Sequence, residues 1–278
     1  MPELPEVETI RRQLEPAIVG RRIERMEVLD PRWCEPAPPD EVAQAVEHRH
    51  IEKLDRRGKY LILELADDVH LVMHLRMTGN LLLAPPGDSE RRYLRVRIDL
   101  DDGHHLLFAD ARRFGTGLVL LGADAVHDYF SGRVGIEPLG PDFTADALRG
   151  LASGRRQPVK AFLLSQERVA GVGNIYADEA LWLAKVHPLR PVGTLKRAQL
   201  EALHEAVVTV LHAGIDAKGA TIDDYRDATG AEGSFQDRFE AYAREGEPCS
   251  RCGAPIRKIK AAGRGTYFCP REQRPPRS

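Results

Sequence analysis

The chain has 278 residues, 42% hydrophobic and 29% charged, which is long enough for two domains with separate cores and an ordinary globular composition. No apolar run approaches the ~18–20 residues of a membrane span, and the acidic N-terminus lacks the apolar stretch of a signal peptide. No membrane partner is therefore expected, the cytoplasm is the default location, and a net charge of −2 with a pI of 6.6 argues weakly against a nucleic-acid partner.

The chain opens Met1-Pro2-Glu3-Leu4-Pro5-Glu6-Val7-Glu8. Methionine is normally clipped before a small second residue, which would leave Pro2 with a free secondary amine. An α-amino group titrates about two units below lysine, so a useful fraction is neutral and nucleophilic near neutral pH. Such amines attack carbonyl-like carbons to give Schiff bases, and Glu3 stands beside it as a proton donor or acceptor. The plainer reading is a helix start, with proline in the first turn and an acid at the positive end of the dipole. Val7, Ile10, Leu14 and Ile18 then recur at helical spacing, and Pro16 is expected to end or kink that helix.

From Arg22 to about Leu121 the pattern changes to short alternating runs. In Tyr93–Leu100, Leu94, Val96, Ile98 and Leu100 share one face, and Asp101-Asp102-Gly103 turns into His105–Phe108, a hairpin signal. Similar runs at Tyr60–Leu65, His70–Leu75 and Leu118–Leu121 predict a β-sandwich. Asp55-Arg56-Arg57-Gly58-Lys59-Tyr60 reads as a solvated strand start. His74–Gly79 and Asp110–Gly115 each place an apolar residue, Met77 or Phe114, near a glycine turn; such residues usually belong to a core, although proteins that expose a base fill the gap with apolar wedges beside an arginine.

Gly132–Asp142, with Gly135, Pro138, Gly140 and Pro141, reads as a linker, after which the periodicity turns helical. Val169–Glu179 begins like a dinucleotide fingerprint, but Tyr176 holds the third-glycine place and no βαβ pattern surrounds it, so that reading is rejected. Gly171 and Gly173 instead form a helix–helix turn or let backbone amides approach a phosphate. Asp227–Ser234 is a polar loop containing glycines.

Residues 249–278 hold eight Lys or Arg against the single acid Glu272, which makes this tail +7 and the remainder −9. That asymmetry suits either a polyanion partner or a solvated basic tail. Cys249-x2-Cys252, sixteen residues, then Cys269-x2-Glu272 has zinc-ribbon spacing in all but the last ligand. Three thiolates favour metal, and Glu272 either offers a carboxylate oxygen or marks a hairpin that no longer binds an ion. Cys34 reads as a buried spectator. His204-Glu205 lacks a second histidine at zincin spacing, and neither a Gly-x-Ser-x-Gly nor a Walker string occurs.

The opening string, Arg57-Gly58-Lys59-Tyr60, Gly171-Val172-Gly173-Asn174 and the cysteine hairpin together resemble the formamidopyrimidine-DNA glycosylases, nearly end to end. The resemblance implies an α+β chain. A leading helix and β-sandwich would occupy 1–133, a linker 134–150, a helix–two-turn–helix DNA-binding domain 151–240 and a zinc-finger-like β-hairpin 241–278. It implies a monomeric, cytoplasmic, nucleoid-associated bacterial repair enzyme acting on double-stranded DNA with oxidised bases or abasic sites, and one structural zinc held by Cys249, Cys252 and Cys269, with Glu272 as a doubtful fourth ligand. The implied catalytic set is Pro2, Glu3, Lys59 and Arg264. Lys59, Asn174 and Arg264 would hold phosphates, Met77, Arg112 and Phe114 would enter the base stack, and 227–234 would be a mobile lid over the everted base. Arg76 stands where relatives commonly carry glycine. Leu4, Val7 and the long 227–234 loop favour oxidised purines; the alternatives are an endonuclease VIII-like enzyme for oxidised pyrimidines and a non-catalytic damage binder.

Overall fold

The computed structural model describes residues 2–275, so the expected removal of Met1 and the place of Arg277 in the basic tail lie outside the described residues. The chain forms two units, one of residues 1–131 and 215–234, the other of residues 132–214 and 235–278. Among the described residues no helix is long and apolar enough to cross a membrane.

The first unit opens with α1 (Leu4–Ile18), which buries Leu4, Val7, Ile10, Leu14 and Ile18 along one face. Pro16 does not end it: the helix runs two residues further, to Ile18, where the Val19 amide returns to the Glu15 carbonyl. Pro16 and Arg12 both lie on the exposed face, where the bond lost with the missing N–H can be tolerated. Next come β1 (Ile23–Val28), α2 (Pro39–Val46), β2 (Ile51–Arg57), β3 (Tyr60–Leu65), β4 (Val69–His74), β5 (Gly79–Ala84), β6 (Leu94–Leu100), β7 (His105–Asp110), β8 (Thr116–Leu121) and α3 (Ala123–Phe130). They make two antiparallel four-stranded sheets, β1-β6-β7-β5 and β2-β3-β4-β8. The expected β6–β7 hairpin is present, with Ile98 opposite Leu106 and Val96 opposite Phe108. Inward residues of both sheets and of α1 share one core, including Ile23, Val96, Phe108, Leu54, Leu63 and Leu71. Gly117 is required there, because a Cβ on it would fall 1.9 Å from the Trp33 ring.

The second unit contains α4 (Ala145–Ala152), α5 (Val159–Leu164), α6 (Asn174–Leu183), α7 (Arg197–Asp216, counted here as far as Gly214) and the hairpin β9 (Arg257–Ala261) and β10 (Arg264–Phe268). The stretch expected to be a linker is instead built into this unit. Gly135 N–H donates to the Gln166 carbonyl, Ala170 N–H to the Ile136 carbonyl, and a Cβ on Gly135 would lie 2.5 Å from the Arg168 oxygen. Its glycine thus serves close backbone approach, and its end already holds α4, capped by the Thr144 hydroxyl. Between α5 and α6 the chain makes two turns stapled by Gln166, whose amide donates to the Leu164 and Val172 carbonyls and accepts from Gly171 N–H. A second departure concerns 215–234, expected within the helical domain but packed in the first unit.

Candidate active site and nucleic-acid contacts

Pro2 and Glu3 are buried at the head of α1, Glu3 with 2% of its surface exposed. A capping box holds Glu3: Glu6 Oε2 accepts from the Glu3 N–H at 2.8 Å, and the Glu3 side chain takes the Glu6 backbone N–H. The other Glu6 oxygen accepts from Ala220 N–H at 2.8 Å. Gly219 precedes that contact at φ +83°, and a Cβ there would lie 2.8 Å from Glu6 Cγ, so glycine is needed twice over. Tyr225, buried beside Glu6, is kept neutral by its burial and by the charges of Glu6 and Asp227, which push its phenol far above the ordinary range. Further along α1, Gln13 donates to Asp227 and accepts from Ala228 N–H. The loop expected to be a lid is therefore anchored at its base. Asp227 Oδ1 also accepts from Thr229 and Ala231 N–H, leaving 222–224, 229–232 and Ser234 as the exposed parts.

Lys59 sits in the two-residue turn between β2 and β3, where Gly58 takes φ +57° and Arg57 pairs with Tyr60. Only 6% of Lys59 is exposed. Arg56 ties this turn to α1, its Nε bonding Glu8 at 3.0 Å and its Nη1 the Gly58 carbonyl at 2.9 Å. Burial pushes the Glu8 carboxyl up, but Arg11 and Arg12 hydrogen bonds and the Arg11 and Arg56 charges prevail and hold it at about 2. His74, nearby, is held at about 3 by its burial and by the charges of Arg76 and Lys59, so it stays a neutral acceptor for the Arg76 N–H.

Met77 and Phe114 project from two adjoining loops, 37% and 48% exposed, and Arg112 lies over the Phe114 ring at 4.7 Å. One buried carboxylate organises both loops. Asp110 accepts from the Thr78 hydroxyl and from Arg112, Phe114 and Gly115 N–H. The backbone at Arg76 takes φ +54°, a left-handed position that a glycine would hold without strain.

In the second unit, Asn174 opens α6 and donates to the Gly265 carbonyl at 3.1 Å. Lys160, fully buried, pairs with Asp178 at 2.7 Å and donates to Thr266 Oγ1 and the Gly265 carbonyl, while Asp178 accepts from Tyr267 N–H. Burial pushes the Asp178 carboxyl up, and the Lys160 ammonium pulls against it. This cluster fixes β10, whose first residue, Arg264, is exposed after a turn with positive φ at Ala262 and Gly263. Near the far end of the hairpin the thiols of Cys249, Cys252 and Cys269 lie within 4.8 Å of one another.

Three family models match the chain. One described as the formamidopyrimidine-DNA glycosylase N-terminal domain matches residues 1–117, its H2TH domain 134–226, and a zinc finger found in FPG and IleRS 246–271. The chain belongs to the formamidopyrimidine-DNA glycosylase family. Relatives so named from Chloroflexus aurantiacus and Symbiobacterium thermophilum are each 46% identical, covering 97% and 98% of this chain and 96% and 89% of their own lengths. A Lactococcus lactis family enzyme solved with abasic-site DNA superposes with a TM-score of 0.91 at 39% identity, covering 98% of this chain and all of that one. A variant of it solved with Fapy-dG-containing DNA gives 0.92 at 39% identity, covering 99% of this chain and all of that one.

Within the family frame the three thiols fit the sulfur side of a zinc-finger site. Glu272 does not join them: its carboxylate lies 3.1 Å from Lys185 Nζ and 3.7 Å from Arg251 Nε. Sequence reasoning missed Glu6, Asp110, Lys160 and Asp178. For Lys160 a signal existed, a lone charge between Val159 and Phe162 on an apolar face.

Proposed function

We propose that the chain is a bifunctional DNA glycosylase and AP lyase of base excision repair that removes oxidised purines from duplex DNA, in a bacterial cell at the nucleoid. The observation that carries this reading is that Pro2 and Glu3 lie buried at the head of α1, where a capping box with Glu6 fixes Glu3, the residue next to Pro2. Lys59 in the first unit and Asn174 and Arg264 in the second hold phosphates. Flipping the damaged nucleotide costs a few kcal/mol, offset in part by Met77, Arg112 and Phe114 entering the stack. The Pro2 nitrogen attacks C1′ as the glycosidic bond breaks and the base leaves with its electron pair. As the ring opens, the C1′–O4′ bond breaks with its electron pair going to the ring oxygen, which takes a proton from Glu3, while the N–H proton of the attached proline passes to solvent and the nitrogen lone pair forms the C1′=N bond of an iminium. Loss of the C2′ proton then expels the 3′ phosphate, a second elimination expels the 5′ phosphate, and water releases the sugar remnant from proline. Zinc, when bound by the three thiolates, would supply structural cross-linking of the finger and no reaction step.

Borohydride trapping tests the reading on duplexes carrying 8-oxoguanine, thymine glycol or an abasic site, with a chain shown by mass to begin at Pro2. A covalent adduct with 8-oxoguanine that disappears in Pro2→Gly is expected, and Glu3→Gln should lose ~10²–10⁴-fold in base excision. One solved family complex contains an oxidised pyrimidine, which favours weaker trapping on thymine glycol as a second activity. Binding with no adduct on any substrate would leave a damage binder and sink the enzyme reading.

A further inference from the structure

The knuckle from Cys269 to Gln273 is closed by hydrogen bonds of its own. Gln273, fully buried, accepts from the Cys269 N–H at 2.8 Å, donates its own N–H to the Cys269 carbonyl, and donates its amide to the Val186 carbonyl at 2.9 Å. This arrangement sets the direction of its neighbour Glu272. Instead of meeting the sulfurs, Glu272 completes a charge cluster at the C-terminal end of α6. Arg251 lies over the Trp182 ring at 3.7 Å and donates to the Trp182 and Leu183 carbonyls, where a cation is favoured by the helix dipole. Lys185 follows the same helix end, and the Glu272 carboxylate sits between the two cations. Both contacts fall on Glu272 Oε2, which is thereby committed to the two cations. Among the described residues no other His, Cys, Asp or Glu places a ligand atom with the three thiols.

We propose that the finger is a three-sulfur metal site whose fourth position is left to an exchangeable ligand from solution, with Glu272 serving as a clamp on Lys185 and Arg251. Closed structural zinc sites carry four protein ligands, and three protein ligands leave a position open to water or a small thiol. Soft thiolates still select zinc or cobalt over hard cations, so metal binding persists with one ligand fewer.

Cobalt(II) titration of the full chain, read by the sulfur-to-cobalt charge-transfer band and the visible ligand-field bands, tests this directly. The native chain should bind cobalt as a tetrahedral three-sulfur complex, and 2-mercaptoethanol should shift its visible bands. Glu272→Gln should leave spectrum and affinity unchanged. Glu272→Cys should bind roughly tenfold tighter or more, with bands shifted to the red and insensitive to mercaptoethanol. A changed spectrum or lost affinity in Glu272→Gln would make Glu272 a ligand and overturn the proposal. A native spectrum indifferent to mercaptoethanol, or no cobalt complex at all, would overturn it equally.

Discussion

The Thr78 hydroxyl donates to Asp110 Oδ1 and accepts from the Arg112 N–H at 3.2 Å, and these two contacts join the loop that carries Met77 to the loop that carries Arg112 and Phe114. Oδ2 of the same carboxylate holds Phe114 and Gly115 N–H at 2.8 and 2.7 Å. Asp110→Asn turns one of these acceptors into a donor facing buried N–H groups, at about 1–3 kcal/mol for each donor left unpaired. Thr78→Val is the gentler probe, expected to cost about 1 kcal/mol in urea unfolding. It should weaken binding to an abasic-site duplex several-fold while leaving binding to undamaged DNA unchanged. Equal loss on both duplexes would mean that the two loops do not act together on an opened base stack.

Arg76 makes a separate prediction. A non-glycine residue in the left-handed region costs on the order of 1 kcal/mol, and its N–H is committed to His74 Nδ1 at 2.9 Å. Arg76→Gly removes the strain and keeps that hydrogen bond, but gains chain entropy in the unfolded state. The net expectation is a stability gain of up to about 1 kcal/mol by urea denaturation. A loss greater than that would show that the guanidinium makes a stabilising contact.

Much of this was legible locally. The alternation of Leu94, Val96, Ile98 and Leu100 gave a strand, and Val7, Ile10, Leu14 and Ile18 gave a helix, because both patterns repeat within a few residues. What escaped was decided by distant partners. Residues 215–234 join the first unit through Glu6, Gln13 and Asn80, none of which lies near them in sequence. Glu272 has the spacing of a ligand, yet Lys185, far back in the chain, takes its carboxylate. The helix inside the expected linker did carry a local signal, Thr144 followed by Asp146 in the first turn, which the surrounding glycines and prolines obscured.

Two buried groups with large shifts contribute to the acid limb of stability in the first unit. His74 titrates at about 3 in the folded state against about 6.5 unfolded, so as pH falls below 6.5 the unfolded chain binds a proton that the folded chain refuses. Stability should fall by up to about 1.4 kcal/mol per pH unit there, until the folded pKa is reached. Glu8, held at about 2, contributes stability that is present above about 4.5 and lost as pH falls toward 2, worth roughly 2–3 kcal/mol given the exposure of Arg12. His74→Asn supplies an oxygen for the Arg76 N–H without a titrating ring. The slope of the urea midpoint between pH 7 and 5 should then differ from that of the native chain by the His74 contribution, up to about 1.4 kcal/mol per pH unit. Parallel slopes would remove His74 from the account.

The Lys160–Asp178 pair lies fully buried under the strand that begins with Arg264. Removing one partner strands the other charge, so Lys160→Met alone should cost about 3–5 kcal/mol. Replacing both, Lys160→Met with Asp178→Leu, should recover most of that stability, since apolar residues of similar volume often match a buried ion pair. The double variant still lacks the bonds to Thr266 Oγ1, the Gly265 carbonyl and Tyr267 N–H that fix β10. Its DNA affinity should therefore stay low although its unfolding midpoint has recovered, and the salt dependence of binding should lose about one phosphate contact. Full recovery of affinity together with stability would show that Arg264 is presented by the hairpin alone, and that the buried pair serves only the fold.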